Sequence, residues 1–154
     1  MFDTNVFDSI LDGAVSIDEF RDLNLFATHV QLDELRAAQT KFLERAMALF
    51  AVFSEVAPKN VPTQSAVWDV SKWDQANWSD DDEVFQKMLA RLKQLDTASG
   101  KKPRNSANQQ RDILIAETAM KEGHMLVSGD ANLRTVTIEF GGAAIDFAEL
   151  RQRA

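Results

Sequence analysis

Asn105-Ser106-Ala107-Asn108-Gln109-Gln110-Arg111-Asp112-Ile113-Leu114-Ile115-Ala116-Glu117-Thr118-Ala119-Met120-Lys121-Glu122-Gly123, followed by His124-Met125-Leu126-Val127-Ser128-Gly129-Asp130, decides the fold. The first part predicts a helix that starts near Asn105 or Ser106 and stops at Gly123, a residue suited to the turn past a helix end. The second predicts a short apolar strand, His124 to Ser128, with Asp130 two residues beyond it. The helix must run back antiparallel to the strand. From Asp112 to Gly123 it descends about 16 Å, and His124 to Ser128 climbs about 16 Å in the opposite sense. The two distances cancel, so Asp112 and Asp130 are predicted to stand at one level.

The rest of the chain extends this pattern. Phe2 leads a very short strand, and Asp3-Thr4-Asn5 caps a helix through about Leu11 before Asp12-Gly13 turns the chain. Ser16-Ile17-Asp18-Glu19 has the spacing of a capping box. Leu25 to Val30 reads as a buried strand. Apolar residues at helical spacing from Leu32 to about Val56 predict one or two helices, with a break near Gln39-Thr40. Pro58 and Pro62 bracket a loop, and Ala66-Val67-Trp68 reads as a strand or the start of a helix. Ser79 before Asp80, Asp81, Asp82 and Glu83 opens a helix to about Leu95, because acids there oppose the helix dipole. A loop spans Thr97 to Arg104, and Ala143 to Phe147 is the last strand. Strands separated by helices imply β–α–β units and a parallel sheet covered on both faces. The expected fold is a single three-layer α/β/α domain over residues 1–154 with a short parallel central sheet.

Composition narrows the chemistry. The 154 residues are 45% hydrophobic and 27% charged, enough for a real core. No run approaches a membrane span, and the amino end has neither the basic start nor the apolar stretch of a secretion signal, so a cytoplasmic protein is expected. The absence of cysteine removes thiolate metal sites and a cysteine nucleophile. Two histidines, His29 and His124, leave little for a zinc site. The net charge of −7 disfavours a general nucleic-acid coat but leaves room for a local basic rim.

Ligands of a parallel sheet gather at the carboxy ends of its strands. Asp3 follows the first strand, Glu34 lies in the first turn of the helix after the second, and Asp112 and Asp130 share a level. Four close carboxylates raise one another's pKa unless a positive charge sits among them. An all-oxygen set suits Mg²⁺ or Mn²⁺, and such ions support phosphodiester hydrolysis without a side-chain nucleophile.

At this point the residues resemble a known family. Phe2-Asp3-Thr4-Asn5, Thr28-His29-Val30-Gln31-Leu32-Asp33-Glu34-Leu35, Arg111-Asp112-Ile113-Leu114-Ile115-Ala116-Glu117-Thr118-Ala119 and Leu126-Val127-Ser128-Gly129-Asp130-Ala131-Asn132-Leu133 resemble, in order, the four motifs of PIN-domain ribonucleases, including the VapC-like toxins of toxin–antitoxin pairs. The resemblance implies a PIN-like fold and Mg²⁺- or Mn²⁺-dependent cleavage of RNA. It implies Asp3, Glu34, Asp112 and Asp130 as metal ligands and catalytic acids, with Asn5, Ser128 and Asn132 as supporting or phosphate contacts. It also implies a homodimer and a cognate antitoxin. Three features depart from the family pattern: only Met1 and Phe2 precede Asp3, Arg111 stands where asparagine is common, and Trp68 to Trp78 matches only vaguely.

Each residue also has a plainer reading. Asp3 and Asp130 sit where helix caps are common. Asp33 competes with Glu34 as ligand, since the two differ by about 100° around a helix. Glu117 reads as a helix-surface acid, Asp80 to Glu83 as dipole compensation, and Trp68, Trp73 and Trp78 as core or dimer packing rather than base stacking. Both histidines read as structural, His29 with a lesser chance of touching substrate. Lys87, Arg91, Lys93, Lys101, Lys102, Arg104 and Arg111 are opposed only by Asp96, which suits either a phosphate-binding rim or a solvated face; Lys101, Lys102, Arg104 and Arg111 are the RNA-contact candidates. Two other functions compete with the nuclease. One is an inactive PIN-like module that binds RNA or a partner. The other is a phospho-receiver, set aside because no lysine follows Lys121.

Overall fold

The computed structural model describes residues 1–20, 22–38, 43–67, 70, 82–101 and 105–153. Its helices and strands follow from local signals that can be named. Asp3 caps helix α1, Thr4–Leu11, by accepting the Thr4 N–H. The Ser16 capping box forms as expected, with Ser16 N–H donating to Glu19 Oε1 at 3.0 Å, and opens a 3₁₀ turn over Ile17–Phe20.

Strand β1 is only Phe26–Ala27, which corrects the longer strand expected over Leu25 to Val30. The reason is a second capping box. Thr28 Oγ1 accepts from Val30 N–H, and Gln31 Oε1 accepts from Thr28 N–H at 2.9 Å, so helix α2, His29–Ala38, begins where the apolar run was read as extended. Helix α3, Leu43–Val56, follows; the junction expected near Gln39-Thr40 lies outside the described residues. Between the two prolines, where a loop was expected, Lys59–Asn60 forms β2 parallel to β1. Lys59 N–H donates to Leu25 O and Val61 N–H to Ala27 O, both at 2.8 Å. Ala66 and Val67 form neither strand nor helix.

Helix α4 runs Asp82–Ala98; the Ser79 to Asp81 start signal and the three tryptophans lie outside the described residues. Helix α5, Ser106–Lys121, is capped by Asn105, whose side chain accepts from Ala107 N–H. It ends as expected. Gly123, at φ +68°, lets its N–H reach Met120 O at 3.1 Å and the His124 N–H reach Ala119 O at 2.7 Å, reversing the chain into β3, Met125–Val127. Then come α6, Ala131–Glu139, capped by Asp130; β4, Ala143–Ile145; and α7, Phe147–Arg153. The last strand is therefore shorter than expected, because Phe147 already starts a helix.

The mixed helix–strand architecture is of the α/β class, but the central sheet is smaller than anticipated. Two parallel pairs, β1–β2 and β3–β4, replace one continuous sheet. The first three residues lie between them. Met1 O accepts from Val127 N–H at 2.9 Å, Asp3 N–H donates to Val127 O at 3.0 Å, and Phe2 N–H donates to Phe26 O at 3.1 Å. Gln31 Nε2 takes up the Phe2 carbonyl at 2.7 Å, substituting for a strand partner.

Alternation along these strands feeds two cores. Met1, Leu126 and Ala144 pack with Phe85, Met88, Leu92, Ile113, Leu114 and Leu133. Phe2, Val127 and Ile145 pack with Phe7, Phe20, Leu35, Leu49 and Leu150. Successive residues point to opposite faces, so the chain start, β3 and β4 each contribute to both cores. Burying one such Leu, Ile or Phe stabilises by about 1.5–3 kcal/mol. No described helix is long and apolar enough to cross a membrane.

Candidate functional site

One open cleft of about 900 Å³ lies where the strand ends meet the helix starts. It is lined by Asp3, Thr4, Asn5, Asp8, Ser9, Glu34, Lys101, Asn108, Asp112, Gly129, Asp130 and Ala131. All four acids named from the sequence therefore face one space, though they come from the chain start, α2, α5 and the turn after β3.

Asp3 is the most firmly held. It is 3% exposed; its Oδ1 accepts the Thr4 N–H at 2.7 Å, and its Oδ2 accepts from Asn5 Nδ2 at 2.7 Å and from Ser128 Oγ at 2.6 Å. Asn5 also takes the Gly129 N–H on its Oδ1 at 3.1 Å, and Ser128 Oγ accepts from Asp130 N–H at 3.0 Å. Asn5 and Ser128 thus hold one carboxylate and the turn that carries the next.

Glu34, not Asp33, lines the cleft; Asp33 pairs along its own helix with Arg36 at 3.4 Å. The Thr4 hydroxyl donates to Glu34 Oε2. Burial holds the Glu34 carboxyl above the usual glutamate value; the Thr4 hydrogen bond and Arg111 pull the other way, and Asp3 adds to the rise. Desolvation of the carboxylate is thus the main cause of the rise, and the neighbouring Asp3 charge a lesser one.

Asp130 is both a cap and a cleft wall. Its Oδ1 accepts the Asn132 N–H at 2.9 Å and the Leu133 N–H at 3.3 Å, and the Lys101 ammonium stands 2.8 Å from the same oxygen. Lys101, expected to contact RNA, is thus turned to an acid. Arg111 donates to Asn108 Oδ1 at 3.2 Å, whereas Lys102 and Arg104 lie outside the described residues. Asn132 is turned away from the cleft, with its Nδ2 2.8 Å from Asp96 Oδ1 and 3.0 Å from Ser99 Oγ.

Two residues depart from their sequence readings. Asp96, read only as the lone acid in a basic stretch, is 5% exposed and ties three helices together, accepting from Gln109 Nε2 at 2.9 Å as well as from Asn132. Glu117 is not a surface acid: it has no exposed area, and its Oε1 accepts from Ser65 Oγ at 2.9 Å and pairs with Lys121 Nζ at 2.8 Å. Helix α5 is covered on nearly every side, so helical facing alone could not assign Glu117 to solvent. Asp8, Ser9 and Asn108 were missed as cleft residues; their i, i+4 spacing from Thr4, Asn5 and Asp112 was the available signal.

His29 is buried and lines a separate cavity of about 260 Å³ with Thr28, Arg36 and Asn60. His124 stacks on Phe26 at 4.0 Å between ring centroids, and burial lowers its pKa. Neither histidine lines the acidic cleft.

The donor set is all oxygen, which suits a hard divalent cation rather than zinc or copper. Among the described residues, however, no three acidic or imidazole side chains converge closely enough to hold an ion as they stand. Asp130 is taken by Lys101, and Asp3 by its own supports. Comparison of the chain with protein-family models and with curated proteins returns no match, so the geometry of the cleft carries the functional argument by itself.

Proposed function

We propose that this chain is a divalent-metal-dependent endoribonuclease of three-layer, PIN-like fold, hydrolysing RNA phosphodiester bonds as the toxin component of a toxin–antitoxin pair. The observation that carries this function is the meeting of Asp3, Glu34, Asp112 and Asp130, from four distant stretches, around one open cleft. Asp3, Asp112 and Asp130, with Glu34, would hold Mg²⁺ or Mn²⁺. A bound ion would supply Lewis-acid stabilisation of charge on the phosphodiester. Asn5 and Ser128 keep Asp3 aimed, both donating to its Oδ2. Asn108, whose Oδ1 accepts from Arg111, offers its side-chain Nδ2 as a donor for phosphate or ribose oxygens. Arg111, Lys102 and Arg104, the basic residues the sequence offers, would meet the phosphate backbone. A cognate antitoxin and a second copy of the chain are the partners this function carries with it, in the cytoplasm.

The test is RNA cleavage in Mn²⁺ or Mg²⁺, stopped by EDTA. Asp3→Asn and Asp130→Asn are each expected to lower the rate by more than about a hundredfold, since even supporting residues of metal sites are worth 10–100-fold. Cleavage persisting in both variants would assign the activity to a contaminating nuclease. The Lys101–Asp130 contact favours a second function, a catalytically weak or inactive PIN-like module that binds RNA or a protein partner. Calorimetry that finds no Mg²⁺ or Mn²⁺ uptake alongside tight partner binding selects that alternative.

A further inference from the structure

Helix α4 ends as α5 does. Gly100, at φ +65°, lets its own N–H reach Thr97 O at 3.1 Å and the Lys101 N–H reach Asp96 O at 3.1 Å. Lys101 is thereby fixed at the backbone beside Asp96 rather than left on a free loop. Its side chain is about two-thirds covered, and its ammonium lies between two nearly buried acids on different helices: 2.8 Å from Asp130 Oδ1 and 3.4 Å from Asp96 Oδ1. The Asp96 side is rigid, because Gln109 and Asn132 also bind that carboxylate.

Resting on the metal-dependent reading above, we propose that Lys101 is a resident cation of the cleft, which a divalent ion must displace from Asp130 in order to bind. Among the described residues, the Asn132 and Leu133 N–H groups and the Lys101 ammonium donate to Asp130 Oδ1. The two N–H groups are fixed in the first turn of α6, whereas the Lys101 ammonium is carried on a long side chain that can swing away. An internal ammonium offsets part of the mutual repulsion of the acids while the protein is ion-free. Ion affinity is then reduced by the fraction of molecules in which Asp130 is engaged by Lys101. The lysine holds back occupancy without closing the cleft, which remains open beside it.

Calorimetric titration with Mn²⁺ compares the wild type with Lys101→Gln and Lys101→Arg, and mass spectrometry follows acetylation of Lys101 by an amine-reactive ester with and without Mn²⁺. Lys101→Gln is expected to bind Mn²⁺ about tenfold more tightly, the order of a charge-assisted hydrogen bond. Lys101→Arg should stay near wild type, and saturating Mn²⁺ should speed acetylation of Lys101. Equal affinity in wild type and Lys101→Gln, or acetylation indifferent to Mn²⁺, overturns displacement and leaves the metal site standing. No uptake by either protein overturns both the displacement and the metal-dependent function.

Discussion

Lys121 Nζ stands 2.8 Å from Glu117 Oε1, and Lys101 Nζ stands 2.8 Å from Asp130 Oδ1, yet the surroundings of the two pairs differ in every other respect. Glu117 is fully enclosed, its lysine comes from the next turn of its own helix, and Ser65 is its other donor. Its Oε2 is buried with no hydrogen-bond partner among the described residues. Asp130 belongs to a cleft shared with four further acids, Asp3, Asp8, Glu34 and Asp112, and its lysine arrives from another helix end. The Glu117 pair is therefore a packing element whose loss is felt by the fold. The Asp130 pair is an exchangeable contact whose loss is felt by whatever enters the cleft. Distance and chemical type alone do not separate such cases; enclosure and the number of anionic neighbours do.

The largest effect should come from the enclosed pair. Glu117→Ala is expected to destabilise the protein by about 3 kcal/mol, near the lower end for breaking a buried pair because Lys121 can extend to solvent. Asp130→Asn should stay within about 1 kcal/mol of wild type, since asparagine caps a helix nearly as well as aspartate. Urea unfolding of both variants checks this, and equal losses would erase the contrast.

Ser128→Ala comes next. It removes the 2.6 Å donor to Asp3 and the acceptor of the Asp130 N–H, and is expected to cost about 10–100-fold in RNA cleavage at saturating Mn²⁺. An unchanged rate would mean that Asp3 needs no such aim.

The smallest effect is a pH-dependent one at Glu34. Burial raises its folded pKa, so the native state binds the proton more readily than the unfolded chain does, and stability falls as pH rises through the folded value. Glu34→Gln should therefore be more stable than wild type at neutral pH, by about 1 kcal/mol or less, with the difference vanishing below the ordinary glutamate value of 4.5. Thermal melts across this range measure it. A gap that grows toward low pH would reverse the sign and exclude desolvation as the cause.

The acid cleft was legible because its logic is local and geometric. The counted rise of helix and strand placed Asp112 beside Asp130 in the sequence reading, and both line the cleft. Asp3 and Asp130 were equally readable as caps, and they are caps; the two roles coincide because a helix start after a strand is where cleft walls form. Asp96 was not legible. Its importance depends on the last turn of α4 meeting the first turn of α6, a long-range contact with no trace in the surrounding run of bases. The strand over Leu25 to Val30 was misread for the opposite reason. A local capping box, Thr28 with Gln31, was present in the sequence and overrode an apolar stretch that looked extended. Strand β2 had no signal at all, being two exposed residues between prolines that pair only because β1 offers an edge.

The position of Phe2 has a consequence for the whole molecule. Residues 1 to 3 form a seam: β1 is stitched to one side, β3 to the other, and α2 is pinned to it through Gln31. Slippage of that seam by one residue would turn Phe2 out of its core and bring Phe2 or Thr4, rather than a carboxylate, to the rim. The registry of three residues thus decides whether the two halves of the protein share an acidic cleft at all.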